Sequence, residues 1–231
     1  MKEIEFWFSI GSTYTYLSVT RLAEVTQKTG ASFSWQPFSV RKIMREMDNI
    51  PFPPSKQVKV DYMWRDIERR AKAYGFTANV PAPYPLQELD LANCVAVLAR
   101  QEGWCEDYVR ETYRRRFIDG HEAGSDLNLT QTLSEIGQDK SRVVELAGSS
   151  DVESAYLNQT ESAKRADIFF VVLPLLLTEN CSGEMTALKM PLPGPVKLAR
   201  AKSLPASSKA EYSIRCSQYT FELIQWFFSQ I

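Results

Sequence analysis

Ser12 lies between a predicted first strand and the helix that follows it, and a hydroxyl in that position can stabilise an anion. Glu3 to Ser9 alternates polar with aromatic or aliphatic side chains, which predicts a strand. Ile10 to Thr13 supplies a turn, and helical spacing of apolar residues from Tyr14 to Gly30 predicts the helix. The first N–H groups of a helix lack backbone partners and carry its positive dipole end. Ser12 can therefore donate to a thiolate that a ligand brings, or it can simply cap the helix.

The cysteines and the histidine do not form a recognisable reactive or metal-binding group. The chain has four cysteines and one histidine, His121, with no CxxC pair and no clustering of the cysteines around the histidine. We therefore expect no metal site and no disulfide framework. We interpret the thiols as reduced and mostly structural, and the missing dithiol disfavours a disulfide oxidoreductase. The cysteines are Cys94, Cys105, Cys181 and Cys216.

Composition is that of an ordinary globular protein with one sizeable core or two small ones. The chain has 231 residues, of which 44% are hydrophobic and 24% charged, and its formal net charge is -1. That balance gives no electrostatic reason to expect nucleic acid or an anionic membrane as partner. The apolar run from Ile168 to Leu177 is about half the length that a spanning helix needs. The charged N-terminal stretch does not resemble a signal peptide, so we expect a cytoplasmic setting.

The order of predicted elements indicates an α/β fold with a helical insertion. Ala31 to Phe38 alternates again, and the long connection predicts a parallel neighbour of the first strand. We assign residues 1–40 to the first half of the sheet domain, 41–165 to an inserted helical subdomain and return helix, and 166–231 to an atypical C-terminal segment with a candidate strand at Phe169. The predicted helices run from Val40 to Met47, Val58 to Gly75, Glu88 to Glu102, Trp104 to Gly120, Asn128 to Gly137, Asp139 to Leu146 and Val152 to Ala166.

The opening of the chain resembles that of 2-hydroxychromene-2-carboxylate isomerases and kappa-class glutathione transferases. That family usually shows an aromatic strand followed by S-P-Y-S-[YW]-L, and residues 6–17 here are FWFSIGSTYTYL. Thr13 replaces the usual proline and Thr15 the second serine, whereas Ser12 and Tyr14 match. Further matches are Asn49 before a proline loop, Lys59, Tyr62, Asp66 and Arg69 on the charged helix, Pro83, and the helix from Asp90 to Leu98.

This resemblance covers about residues 3 to 168 and implies a thioredoxin-like, DsbA-type fold with an inserted all-helical subdomain, in a homodimer. It also implies glutathione as the cofactor, with Ser12 stabilising its thiolate, and a small aromatic or electrophilic substrate. In the isomerase, glutathione adds to an unsaturated pyruvate side chain, permits rotation and leaves again, a step in naphthalene breakdown. The other residues that match the glutathione and substrate site are Tyr14, Asn49, Lys59 and Tyr62.

Simpler structural roles remain open for several of these residues. Asn49 can form an Asx turn before Pro51, and Lys59 can lie on a solvated helix face. Tyr62 and Asp66 can equally be packing or surface residues. Two other functions also remain open: a kappa-type glutathione transferase acting on electrophiles, and a non-catalytic thioredoxin-fold protein.

The C-terminal third departs from the family pattern. The family carries G-[IV]-F-G-x-P-[ST]-F, whose cis-proline pairs with glutathione, and then F-W-G-x-D-R, which holds the γ-glutamyl group. Here the first pattern stops at Phe169 and the second does not occur. Codons allowed for Leu177 to Pro191, read one frame over, encode DGELFWGDDRLEDA, so we predict a reading-frame shift near residue 170. Completion of the sheet is thereby left open, and we expect a purified chain to bind glutathione weakly or not at all.

Overall fold

The computed structural model of the chain describes residues 3–48, 54–166 and 168. The predictions for Asn49, for a strand at Phe169 and for the frame-shifted segment from residue 171 onward lie outside these residues.

Two parallel strands joined by one helix form the opening unit, as predicted. Strand β1 (Glu3–Phe8) pairs with strand β2 (Ser32–Pro37), with residue 6 of β1 opposite residue 35 of β2. Helix α1 (Thr15–Thr29) connects them and ends at Gly30, which has φ 71. Glycine adopts this left-handed conformation without steric cost and so ends the helix. Because both strands run the same way, their C-terminal ends meet at one edge of the sheet, and the loop before α1 lies there.

A mostly helical region follows β2, and its predicted helices are confirmed with shifts of a few residues at their ends. The helix expected to begin at Asn128 begins at Asp126, because the Ser125 side chain accepts a hydrogen bond from the Asn128 N–H and caps it. The helices are α2 (Val40–Glu46), α3 (Gln57–Ala73), α4 (Leu89–Glu102), α5 (Cys105–Arg114), α6 (Asp126–Glu135), α7 (Lys140–Ala147) and α8 (Ser150–Arg165), with a 3-10 turn at Pro54–Lys56.

The single helix predicted from Trp104 to Gly120 is divided in two. Helix α5 ends at Arg114, and Arg115–Asp119 continues as one π-helical turn that closes at Gly120 with φ 74. A π-helical turn widens the helix locally and is often found at functional sites. Here it turns both Arg115 and Arg116 into the interior, where they are almost fully buried.

The main hydrophobic core lies between β1, α1, α4 and α5. Phe8 and Tyr108 are completely buried, and the Tyr16 ring stacks on Phe117 with ring centres 4.2 Å apart. Each large apolar side chain buried in this way contributes about 1.5–3 kcal/mol to folding. Helix α4 runs through the middle of this core, since almost every residue from Leu89 to Ala99 is buried. The core therefore backs directly onto the loop between β1 and α1.

Within the described ranges, no helix is both long and apolar enough to cross a membrane. The same residues contain no cluster of three or more His, Cys, Asp or Glu side chains that could hold a metal ion.

Candidate functional site

The loop from Ser9 to Tyr14 places Ser12 beside the start of α1. Ser12 is half-buried, and its N–H donates to the Ser9 carbonyl at 2.9 Å, which closes a turn. The N-cap residue of α1 is Tyr14 rather than Ser12, and Tyr14 makes no side-chain capping hydrogen bond. The first turn of α1 contains no acidic residue. The Ser12 hydroxyl thus lies just ahead of a helix start that is electrostatically suited to an anion.

Donors from α5 and the π-helical turn hold the carbonyl groups of this loop towards the core. The Tyr113 hydroxyl donates to the carbonyls of Ser9 at 3.0 Å and Ser12 at 2.9 Å. Nη1 of Arg116 donates to the carbonyl of Ile10 at 3.0 Å. In a trans peptide the carbonyl and the following N–H point in opposite directions. The N–H groups that follow Ile10 and Ser12 therefore point away from Tyr113 and Arg116.

Helix α4 packs against the loop from Ser9 to Tyr14. Oδ1 of Asn93 accepts a hydrogen bond from the Ile10 N–H at 3.0 Å, and its Nδ2 donates to the Leu89 carbonyl at 2.8 Å. Asn93 is completely buried, so both of its hydrogen bonds are shielded from water. Gly11 lies so close to this helix that a Cβ at residue 11 would be 2.1 Å from Cδ1 of Leu89. The loop can reach this position only with a residue that lacks a side chain.

Replacing Gly11 with alanine should destabilise the protein. The added methyl group would overlap Leu89, which is 2% exposed and has little room to move. Overpacking of this kind costs about 1–3 kcal/mol, which urea unfolding of G11A would measure. Gly148→Ala is the matched control, because the nearest atom to its added Cβ would be 3.5 Å away, and we expect a change within about 0.5 kcal/mol. Equal stability of the two variants would show that the loop does not approach α4 closely.

Tyr14 contacts an ion-pair cluster on α3 whose carboxylate is buried. Its hydroxyl donates to Oδ2 of Asp66 at 3.0 Å, and Asp66 is only 4% exposed. Arg69 at 2.5 Å and Arg70 at 2.6 Å donate to the same carboxylate. Burial, together with the negative charge of Asp66, raises the pKa of Tyr14 well above its usual value. Tyr14 therefore stays protonated and anchors the helix start to α3.

Lys59 and Tyr62 lie on α3, the helix that contacts this loop through Met63 and Asp66. The Thr13 hydroxyl donates to the sulfur of Met63 at 3.2 Å, which fixes the orientation of α3 against the loop. Lys59 precedes Met63 by one helical turn and projects to the same side of the helix, whereas Tyr62 directly precedes Met63 and projects to a different side. Lys59 is half-buried and Tyr62 is exposed. The structure thus places Tyr14 against α3, the helix that carries Lys59 and Tyr62, whereas Asn49 falls outside the described residues.

The cysteines of the described chain are not suited to redox chemistry. Cys94 and Cys105 are buried and unpaired. Burial raises the pKa of Cys94 to about 11 and that of Cys105 to about 12, so neither forms a thiolate readily at neutral pH.

A cleft of about 500 Å³ lies elsewhere, between α2, α4 and α8, and does not include Ser12. Its charged lining is balanced, with three basic residues on α2 against Glu46, Asp90 and Glu153. The Tyr156 hydroxyl at its base already donates to Asp90 at 3.3 Å. This mixed and internally paired lining gives no chemical reason to place the reaction there.

Three residues that build the loop were not identified from the sequence: Asn93, Tyr113 and Arg116. Asn93 had a detectable signal, because it is a lone amide inside the apolar run LANCVAVLA. Tyr113 and Arg116 lie about 100 residues after the loop, and their contacts with it depend on how α5 packs. The spacing of residues within a helix does not reveal contacts with residues so far away in the sequence.

Comparisons with known proteins agree with this architecture. A model of the DSBA-like thioredoxin domain matches residues 3–171. The 2-hydroxychromene-2-carboxylate isomerase of Sphingobium xenophagum is 24% identical over 170 residues, which cover 73% of this chain and 85% of that protein. The enzyme of the same name from Pseudomonas putida is 25% identical over 171 residues, covering 73% and 82%.

A solved structure of a 2-hydroxychromene-2-carboxylate isomerase superimposes with a TM-score of 0.65 at 22% identity, covering 73% of this chain and 82% of that one. The predicted fold class, a thioredoxin-like fold of the DsbA type with mostly helical content and a small sheet, is therefore confirmed. Since the family model spans well over half of the sequence, the chain belongs to the DSBA-like thioredoxin domain family.

Proposed function

We propose that this chain is a glutathione-dependent cis-trans isomerase of the 2-hydroxychromene-2-carboxylate isomerase type. The observation that carries the proposal is the loop that places Ser12 two residues before Tyr14, the N-cap residue of α1, whose side chain makes no capping hydrogen bond. The relatives named as isomerases support the reaction class.

The start of α1 fits the thiol end of glutathione. A negative sulfur there meets N–H groups that Tyr14 does not cap and no acidic residue in the first turn. The Ser12 hydroxyl donates to that sulfur and favours its ionised form. Bound glutathione would supply the nucleophile that adds reversibly to a conjugated double bond and so allows rotation. Tyr113, Asn93 and Arg116 keep the loop in the geometry that this donation requires.

The neighbouring face of α3 suits an aromatic carboxylate. Val58 is 76% exposed and Tyr62 45% exposed, and they are adjacent on the helix at i and i+4. Lys59 lies beside them and offers a cation to a carboxylate or keto acid. We therefore assign Val58 and Tyr62 to the aromatic ring of the substrate and Lys59 to its acid group.

Binding of glutathione should be weak, because the sequence beyond residue 170 lacks the family segment for the γ-glutamyl group. The test accordingly uses millimolar glutathione and follows isomerisation of 2-hydroxychromene-2-carboxylate by the full chain. We expect a rate that rises with glutathione concentration and that S-methylglutathione, which has no free thiol, does not support. A chain that is folded by circular dichroism but shows no glutathione-dependent rate would contradict the proposal.

The same assay separates the two alternative functions. The loop that activates sulfur would serve equally in a kappa-type transferase, so conjugation of 1-chloro-2,4-dinitrobenzene should be measured in parallel. Conjugation that is faster than isomerisation would favour the transferase. Absence of both activities in the folded chain would favour a non-catalytic thioredoxin-fold protein.

A further inference from the structure

Arg116 is a completely buried cation that forms no ion pair within 4.0 Å in the described part of the chain, and the acidic group that acts on it, Glu122, does so from a longer distance. Its guanidinium donates to the Ile10 carbonyl and, through Nη2 at 2.9 Å and Nε at 3.3 Å, to the Pro83 carbonyl. Its other close contact is the ring of Phe117, whose centre is 5.3 Å from Cζ. Buried charges in proteins are normally paired closely with an opposite charge, so a buried arginine whose hydrogen bonds go to carbonyl groups and that forms no close ion pair is unusual.

The preceding residue shows the ordinary arrangement. Arg115 is also nearly buried, but Glu111, Asp119 and Glu135 lie within 3.9 Å of its guanidinium. Two consecutive arginines of the π-helical turn thus differ in one respect: the first is neutralised by carboxylates and the second is not. The charge of Arg116 persists at neutral pH, because burial lowers its pKa only to about 10.

The positive charge of Arg116 lies on the core side of the loop from Ser9 to Tyr14. Nη1 of Arg116 is 3.0 Å from the carbonyl of Ile10, and Ser12 is two residues further along the chain. Two residues span at most about 7 Å, so the guanidinium lies within about 10 Å of residue 12. Little water separates them, because Arg116 and Ile10 are fully buried. At this distance an effective dielectric constant near 20 still leaves a substantial interaction between unit charges.

We propose that Arg116 is a positioning residue that stabilises an anion at residue 12. It does so through its buried positive charge and through its hydrogen bond to the Ile10 carbonyl. The identity of that anion as the glutathione sulfur rests on the proposed function. The positive electrostatic potential that Arg116 creates at residue 12 does not depend on which anion binds there.

Other charged and titratable groups lie around Arg116 and around the loop that contains residue 12. Around Arg116 these are Tyr84, Tyr113 and Glu122. On the α3 side of the loop they are Lys59, Tyr62, Asp66, Arg69 and Arg70, with Tyr14 between them. None of these side chains changes in the variants below, so differences among the variants report the charge at residue 116.

A thiol introduced by Ser12→Cys measures the field without any ligand. Its pKa is obtained from the pH dependence of its alkylation rate, followed by mass spectrometry on the peptide that contains residue 12. We expect this pKa to lie below the ordinary thiol value of about 8.5. Adding Arg116→Gln, which keeps an amide donor but loses the charge, should raise it by about one pH unit. Adding Arg116→Lys, which keeps the charge, should leave it nearly unchanged.

Arg115→Gln in the same background is the matched control and should move this pKa less than R116Q does, because the contacts of Arg115 are with Gln131 and nearby carboxylates rather than with the loop. Equal shifts in the Arg115 and Arg116 variants, or none in R116Q, would overturn the proposal. If R116Q does not fold, S12C alone decides: a thiol pKa at or above about 8.5 overturns the proposal, and a clearly lower value preserved in R116K supports it. Failure of glutathione to bind would leave this result intact, so the two proposals can fail separately.

Discussion

Replacing Ser12 with alanine is expected to lower the glutathione-dependent isomerisation rate about 100-fold or more. Removing one donor that stabilises a reacting anion typically has an effect of this size. The loop itself should persist, since the contacts of Ser12 with Ser9 and Tyr113 are made by its backbone. The free energy of unfolding should therefore change by less than about 1 kcal/mol. The measurement is kcat/KM for the substrate at a fixed millimolar glutathione concentration, together with a urea unfolding curve.

Ser18→Ala is the matched control for this variant. Ser18 is a half-buried serine and the fourth residue of α1, and its hydroxyl is not part of the proposed site. We expect the activity of S18A to stay within about two-fold of the unmodified chain. Comparable losses in S12A and S18A would mean that Ser12 has no special role in the reaction.

Replacing Asn93 with alanine is expected to cause the largest loss of stability, about 2–4 kcal/mol. The substitution removes the acceptor of the Ile10 N–H, and Ile10 is completely buried, so this donor would be left without a partner. It also opens a cavity in the middle of α4. Isomerisation should fall as well, because the loop loses its fixed contact with α4. Thermal unfolding and the activity assay would measure the two effects.

Asn158→Ala provides the comparison for this prediction. Asn158 is exposed on α8, and alanine has the higher helix propensity, so stability should be unchanged or slightly increased. An N93A variant with the stability of N158A would show that the hydrogen bond between α4 and the loop is not important.

Much of the fold could be predicted from local pattern. Alternating aromatic residues in β1 and β2 identified the strands, and the long connection through α1 gave their parallel pairing. Helix spacing located the helices of the middle region to within a few residues, except that the helix predicted from Trp104 to Gly120 ends at Arg114 and continues as a π-helical turn. The position of Ser12 relative to α1 was less predictable, because the last non-helical residue is Tyr14 and it makes no side-chain cap. Helix ends depend on tertiary contacts such as that between Tyr14 and Asp66, which local sequence does not reveal.

The residues of the candidate site and those that hold its loop in place could be predicted only in part. Ser12, Tyr14, Lys59 and Tyr62 were identified through the family pattern, whereas Arg116 was not, because arginine in a charged stretch usually indicates a solvated face. Its burial follows from the π-helical turn and from the carbonyls of Ile10 and Pro83, which are distant in the sequence. The homodimer, the cytoplasmic setting, the role of Asn49 and the frame shift near residue 170 stay predictions, and sequencing of the gene tests the last of them.

The central claim, that the Ser12 loop holds the sulfur of glutathione, is tested most directly by NMR titration of the isotope-labelled full chain. Chemical-shift changes detect weak binding and locate it at individual amides. We expect glutathione to shift the amides of residues 11–16, and S12A or an analogue with a methyl group in place of the thiol to reduce these changes sharply. Changes confined to the cleft between α2, α4 and α8, or equal changes with the thiol-free analogue, would contradict the claim.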